Sequence, residues 1–183
     1  MASTWTDQGD RMKAMTKDDA AGWLTANTLD DFVNQRCDEL KVVSKPCTIP
    51  EDSTSKTALA KFLSYLLLRQ PEVCVYLTGW SLRPTAEHLD LLYGYRRSKG
   101  EMRPLSEAPL HVFDQSETDA LASILCLVFY FALEAWVFDT QGKTMIRISH
   151  DGRMEVRADE HRDIVDFATE PEKYLKALGA RAS

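Results

Sequence analysis

Apolar positions recur along this chain with two different periods, and the point where one gives way to the other sets the expected order of elements. Leu59, Phe62, Leu63, Leu66 and Leu67 share one helical face, which predicts a helix from a Ser55 cap to about Gln70, with Pro71 just beyond. Val73-Cys74-Val75-Tyr76-Leu77 is a short continuous apolar run rich in β-branched residues, the pattern of a central strand, and Gly79-Trp80 breaks it. Thr85 opens a second helix through Leu89, Leu91, Leu92 and Tyr95 that stops near Gly100. The region from Glu101 to Gln115 carries Pro104 and Pro109 and reads as mostly irregular. Ala120 to Leu133 is the longest apolar run, introduced by the capping-box-like Ser116-Glu117-Thr118-Asp119. It falls short of the roughly 20 residues a membrane-spanning helix needs, so a buried core helix is expected.

Beyond Glu134 the period changes to two. Ala135 to Asp139, Lys143 to Ser149 and Arg153 to Arg157 each read as strands, separated by the turn sequences Thr140-Gln141-Gly142 and His150-Asp151-Gly152. Two consecutive hairpins make a three-strand meander, after which a polar helical pattern returns from Pro171 to Leu178. At the other end, Thr16 with Asp18 and Asp19 starts a short helix, and Leu29, Phe32, Val33, Arg36 and Leu40 define another. Pro46 and Pro50 mark a loop that separates a helical N-terminal arm, 1–50, from an α+β domain, 51–183, the two forming one compact domain. The expected fold class is α+β, with helices packed on a mostly antiparallel sheet that includes the C-terminal meander.

Composition narrows the partners more than the fold. The 183 residues are 44% hydrophobic, too apolar for a disordered chain, and their length allows a full core without disulfide or metal staples. Twenty-two Lys plus Arg face 28 Asp plus Glu, a net charge of −6, which argues against general nucleic-acid binding. The first fifteen residues contain no apolar stretch of the kind a secretory signal needs. Cys37, Cys47, Cys74 and Cys126 are widely spaced with no CxxC pair, so neither a zinc site nor any cofactor is expected. Together these features predict a cytoplasmic protein with reduced thiols and no membrane association.

Several residues carry possible chemistry. His150 beside Asp151 could act as a general base or metal ligand, although Asp151-Gly152 equally suits a hairpin turn. His111 lies in the apolar, proline-containing stretch Ala108 to Phe113 and could line a cleft or simply hydrogen-bond a backbone carbonyl. Arg96, Arg97 and Arg103, with Lys99, form the densest basic cluster of an acidic chain; guanidinium groups suit anions, and cations near a helix C-terminus also offset its dipole. Glu87 and Glu134 are the carboxylates expected nearest the core, Glu134 as an interruption of the apolar helix, while His88 is a weaker candidate. Trp80, following a strand at a glycine, is expected on a partner surface, and Trp136 within a strand. The nucleophile elbow is incomplete, since Gly79-Trp80-Ser81-Leu82-Arg83 lacks its final glycine, and no phosphate-binding glycine loop is present.

The stretch from Val73 to Asp151 resembles an uncharacterised family of small bacterial proteins. The resemblance rests on Val75-Tyr76-Leu77-Thr78-Gly79-Trp80, Arg83-Pro84-Thr85-Ala86-Glu87-His88, Leu91-Leu92-Tyr93, Arg96-Arg97-Ser98-Lys99-Gly100, Arg103-Pro104-Leu105, Glu107 through Phe113, and Ser149-His150-Asp151. It covers a little under half of the chain. The family pattern has Ser where Thr85 stands, which keeps a capping hydroxyl, and Gly where Leu110 stands, which puts a bulky residue at a place of close backbone approach. The resemblance implies an autonomous bacterial domain and brings no assigned activity.

Two functional readings follow. The first is an intracellular binding or interaction protein, an immunity-type inhibitor or accessory factor whose acidic charge steers it to a basic protein partner through a surface that includes Trp80, Arg96, Arg97 and Arg103. The second is a small hydrolase or transferase for an anionic substrate held by the arginine cluster, with His111 or His150 as base and Asp151 or Glu87 as further candidates. The first ranks ahead because the second has no complete motif.

Overall fold

The computed structural model describes residues 13–16, 19, 42–43, 47–79, 85–158, 166–167, 169–170, 173–174 and 176–177. In chain order the elements are β1 (Lys13–Met15), β2 (Val42–Val43), β3 (Cys47–Thr48), α1 (Ser53–Leu67), β4 (Glu72–Gly79), α2 (Ala86–Ser98), β5 (Leu110–Asp114), α3 (Thr118–Phe131), β6 (Glu134–Asp139), β7 (Thr144–Ile148) and β8 (Arg153–Ala158). The strands form one sheet in the order β1-β5-β4-β6-β7-β8-β2, with β3 also on β8, and every pairing is antiparallel. This is the expected α+β class, and β6-β7-β8 is the expected meander.

Period-two alternation gives the sheet two different faces. Val73, Val75, Leu77, Ala135, Val137, Ile146, Ile148, Met154 and Val156 share one face and form the main core with Leu59, Leu63 and Leu67 of α1 and Leu121, Ile124, Leu125 and Val128 of α3. The alternate positions Cys74, Leu110, Val112, Phe138 and Met145 build a smaller buried cluster on the other face, against which Met15, Tyr76 and Trp136 lie part-buried.

Helix boundaries depart from the sequence reading in two places. Asp52, not Ser55, caps α1: its Oδ1 accepts from Ser55 N at 2.8 Å. No side chain caps α3; instead Glu117 reaches back to accept from Asp114 N at 3.0 Å, and Asp114 accepts from Ser116 N at 2.8 Å. The Thr85 cap on α2 is as expected. The long apolar run is not a single helix interrupted by Glu134. It turns at Ala132, which is left-handed at φ 48°, so that Leu133 and Glu134 lead directly into β6.

β5 is the main element the pattern did not predict, lying inside the region read as irregular. Within 1–50, the described segments Lys13–Met15, Val42–Val43 and Cys47–Thr48 are strands on the two edges of the sheet. The helices expected through 20–40 lie outside the described residues. The tail is helical at 173–174 and 176–177.

Candidate functional site

The expected arginine site turns inward. On α2, Arg96 follows Leu92 by four residues, so both face the core, and Arg96 is fully buried. Its guanidinium donates to His111 Nε2 at 3.2 Å, Arg103 O at 2.8 Å and Ala108 O at 2.7 Å, tying the loop after α2 and strand β5 back onto the helix. Arg103 is equally occupied. It forks onto Glu101, with Nε to Oε1 at 2.9 Å and Nη2 to Oε2 at 2.5 Å, and also donates to Ala14 O of β1 at 2.8 Å. Burial opposes ionisation of Glu101, yet the hydrogen bonds from Arg103 hold its carboxyl below the usual carboxylate range. Arg96, fully buried, and Arg103, part-exposed, thus direct these donors to acceptors within the protein.

His111 belongs to the same knot. Because Nε2 accepts from Arg96, its proton sits on Nδ1 and the ring is neutral. Burial first, and the adjacent Arg96 cation second, push its pKa down to about 3. His111 has no exposed surface and lines no open cleft among the described residues.

The groups that do come together in the open lie at one end of the sheet. β4 ends there, β6 begins, and the β7–β8 turn closes over it. His150-Asp151-Gly152 forms the expected turn, with Gly152 at φ 73° and its N–H donating to Ser149 O at 3.1 Å. The carboxylate paired with His150 is not its neighbour Asp151 but Glu134, whose Oε1 lies 2.6 Å from His150 Nδ1. Asp151 instead accepts from Ser149 Oγ and lies 3.4 Å from Arg153 Nε; the Ser149 hydroxyl holds its carboxyl below the ordinary value. A Cβ at Gly79 would approach Glu134 Oε2 to 2.9 Å, so the glycine leaves room for this carboxylate beside β4.

These residues line an open depression of about 310 Å³ together with Arg147 and Glu155. Register adds an aromatic row: Tyr76 is opposite Trp136, Trp136 opposite Arg147, and Arg147 opposite Glu155. The Arg147 guanidinium lies over the Trp136 ring, 5.4 Å from its centroid, a cation–π contact. Sequence reading singled out His150 but missed Arg147 and the Glu134 pairing; the β6–β7 turn and period two would have placed Arg147 opposite Trp136.

No family model, curated protein or solved structure matches the chain.

The remaining candidates separate. Glu87 is exposed in the first turn of α2, and Arg97 is exposed in its last turn. His88 stacks on Phe131 of α3 with centroids 4.4 Å apart. Trp80 lies outside the described residues. Among the described residues, no group of three or more His, Cys, Asp or Glu side chains could hold a metal ion. No described helix is long and apolar enough to cross a membrane.

Helix α2 presents a second accessible surface. Only Leu92 and Arg96 of its thirteen residues are buried. On the outer side, Glu87, Asp90 and Leu91 are exposed, Leu91 to 52%, and a Cβ added at Gly94 would meet nothing within 4 Å. Neither Glu87 nor Asp90 forms an ion pair among the described residues.

Proposed function

We propose that this chain is an intracellular binding protein, an immunity-type inhibitor or accessory factor for a basic protein partner. The observation that carries the reading is the outer face of α2: an exposed Leu91 beside two exposed carboxylates, Glu87 and Asp90, that form no ion pair among the described residues, with open space at Gly94. An apolar contact gains affinity from desolvation, and exposed acids around it favour a basic surface and speed its approach. The net charge of −6 acts in the same direction over longer range. Exposed Arg97 stands at the opposite end of this helix and would meet an acid at the rim of such a partner. The resemblance to small bacterial proteins is compatible with this reading and supports a bacterial source.

The test is capture of partners from the native host at low and at physiological salt, with the wild type and with Glu87→Lys, Leu91→Asp and Gly94→Arg. A stoichiometric basic partner, weakened by salt and lost in the three variants while their folding is unchanged, is the expected result. Recovery of no such partner at either salt concentration, or capture indifferent to Leu91→Asp, would overturn the reading.

A further inference from the structure

The depression at the strand end has a charge pattern that singles out one residue. Glu134 lies 2.6 Å from His150, Asp151 lies 3.4 Å from Arg153, and Glu155 lies 2.6 Å from Arg157. Each carboxylate thus has its own basic partner. Arg147 is exposed and has no carboxylate partner among the described residues; its contact is the Trp136 ring beneath it. The set leaves the Arg147 guanidinium without a carboxylate partner of its own among the described residues, in an otherwise acidic chain. A cation–π contact with an indole removes part of the freedom of the guanidinium while its N–H donors stay available, an arrangement suited to a two-oxygen acceptor.

The second contact comes from His150. Its Nδ1 is held by Glu134, and Nε2 has no partner among the described residues. A ring fixed at one nitrogen by a carboxylate presents the other with its orientation already set. Arg147 and His150 line the same depression, whose volume of about 310 Å³ falls at the lower end of small-molecule sites.

We infer that this depression binds the oxyanion of a small ligand, a carboxylate or phosphate group, with Arg147 as the forked donor and His150, in its imidazolium form, donating from Nε2 as the second. The site is separate from the α2 face and stands whether or not that face docks a partner.

Titration of the isotopically labelled full chain with sodium phosphate and with sodium acetate, at constant ionic strength and pH 6, tests it. The signals followed are the Trp136 indole N–H, the Arg147 Nε–H and the His150 ring protons. Saturable shifts in all three with one probe or both, weakened at least tenfold by Arg147→Gln and unaffected by Arg97→Gln, are the expected result. Saturation by phosphate alone assigns a phosphate ligand; acetate binding as tightly or more tightly assigns a carboxylate. Shifts that grow linearly with both probes, or saturate equally in Arg147→Gln, overturn the inference. Arg147 is exposed, so the variant is expected to keep the wild-type amide spectrum; if it does not, Arg147→Lys, which keeps the charge and loses the fork, takes its place with the same tenfold criterion. Partner capture by Arg147→Gln is expected to be unchanged, so failure of one proposal leaves the other readable.

Discussion

Replacing Arg96 by Met removes a buried cation that three acceptors depend on. Ala108 O and His111 Nε2 lose their donor in a fully buried setting, and Arg103 O in a part-buried one. An acceptor left unsatisfied inside a protein costs about 1–3 kcal/mol. Three such acceptors give a gross cost of about 3–9 kcal/mol. Met fills much of the volume and needs no desolvation of a charge, which returns part of that cost. A net loss of about 3 kcal/mol is expected, a large fraction of the roughly 5–15 kcal/mol that stabilises a domain. Urea unfolding at pH 7 reads it directly: with a slope of about 2 kcal/mol per molar, the midpoint falls by about 1.5 M. Arg96→Lys should lose about 2 kcal/mol or more, because an ammonium does not reproduce the planar fork. Arg97→Met, one residue along and exposed, should stay within about 0.5 kcal/mol of wild type. Equal midpoints for Arg96→Met and Arg97→Met would refute the assignment of Arg96 as a structural tie.

Three further outcomes are expected. His111 has a folded pKa of about 3 against an ordinary value of 6.5, so the unfolded chain binds more protons between those limits. Its contribution to stability is therefore fully present above about pH 6.5 and is lost as pH falls toward 3, at up to about 1.4 kcal/mol per pH unit; unfolding curves at pH 4 to 7 should be flatter for His111→Gln than for wild type. Gly94→Ala should raise stability by about 0.5–1 kcal/mol, since the position is helical and a methyl there touches nothing, and a thermal melt showing a loss would contradict the open face of α2. Ala132→Gly should also stabilise, by up to about 1 kcal/mol in urea unfolding, by relieving the left-handed backbone at the end of α3.

What the sequence showed and what it hid divides along the range of the interactions involved. β4 and the meander were legible because Val73 to Leu77 is an unbroken apolar run and because Gly142 and Gly152, both at positive φ, sit where hairpin turns need them. β5 was hidden because His111 stands within it, and a histidine there makes sense only once Arg96 of α2 is known to reach it. The two- and three-residue strands β1, β2 and β3 are too short to show any period. At the site, His150 was visible as a residue, but its carboxylate lies sixteen positions earlier in the chain, and Asp151 next to it was the nearer, mistaken partner. The basic cluster was visible as charge; that Arg96 and Arg103 point inward is a property of the helix face and the loop that follows it.

The short strands at the sheet edges bear on the order of events during synthesis. β1 needs β5, at 110–114, and β2 and β3 need β8, at 153–158, so these early strands must wait for partners made about a hundred residues later. Until then β5 and β8 carry open edges, which makes this interval the one most exposed to pairing between chains. With six strand spacings of about 4.8 Å between β1 and β2, the two edges lie roughly 29 Å apart, and both are closed by the same N-terminal segment. A nascent chain released early, or one nicked between 16 and 41, would leave at least one edge dependent on a tether that no longer holds it.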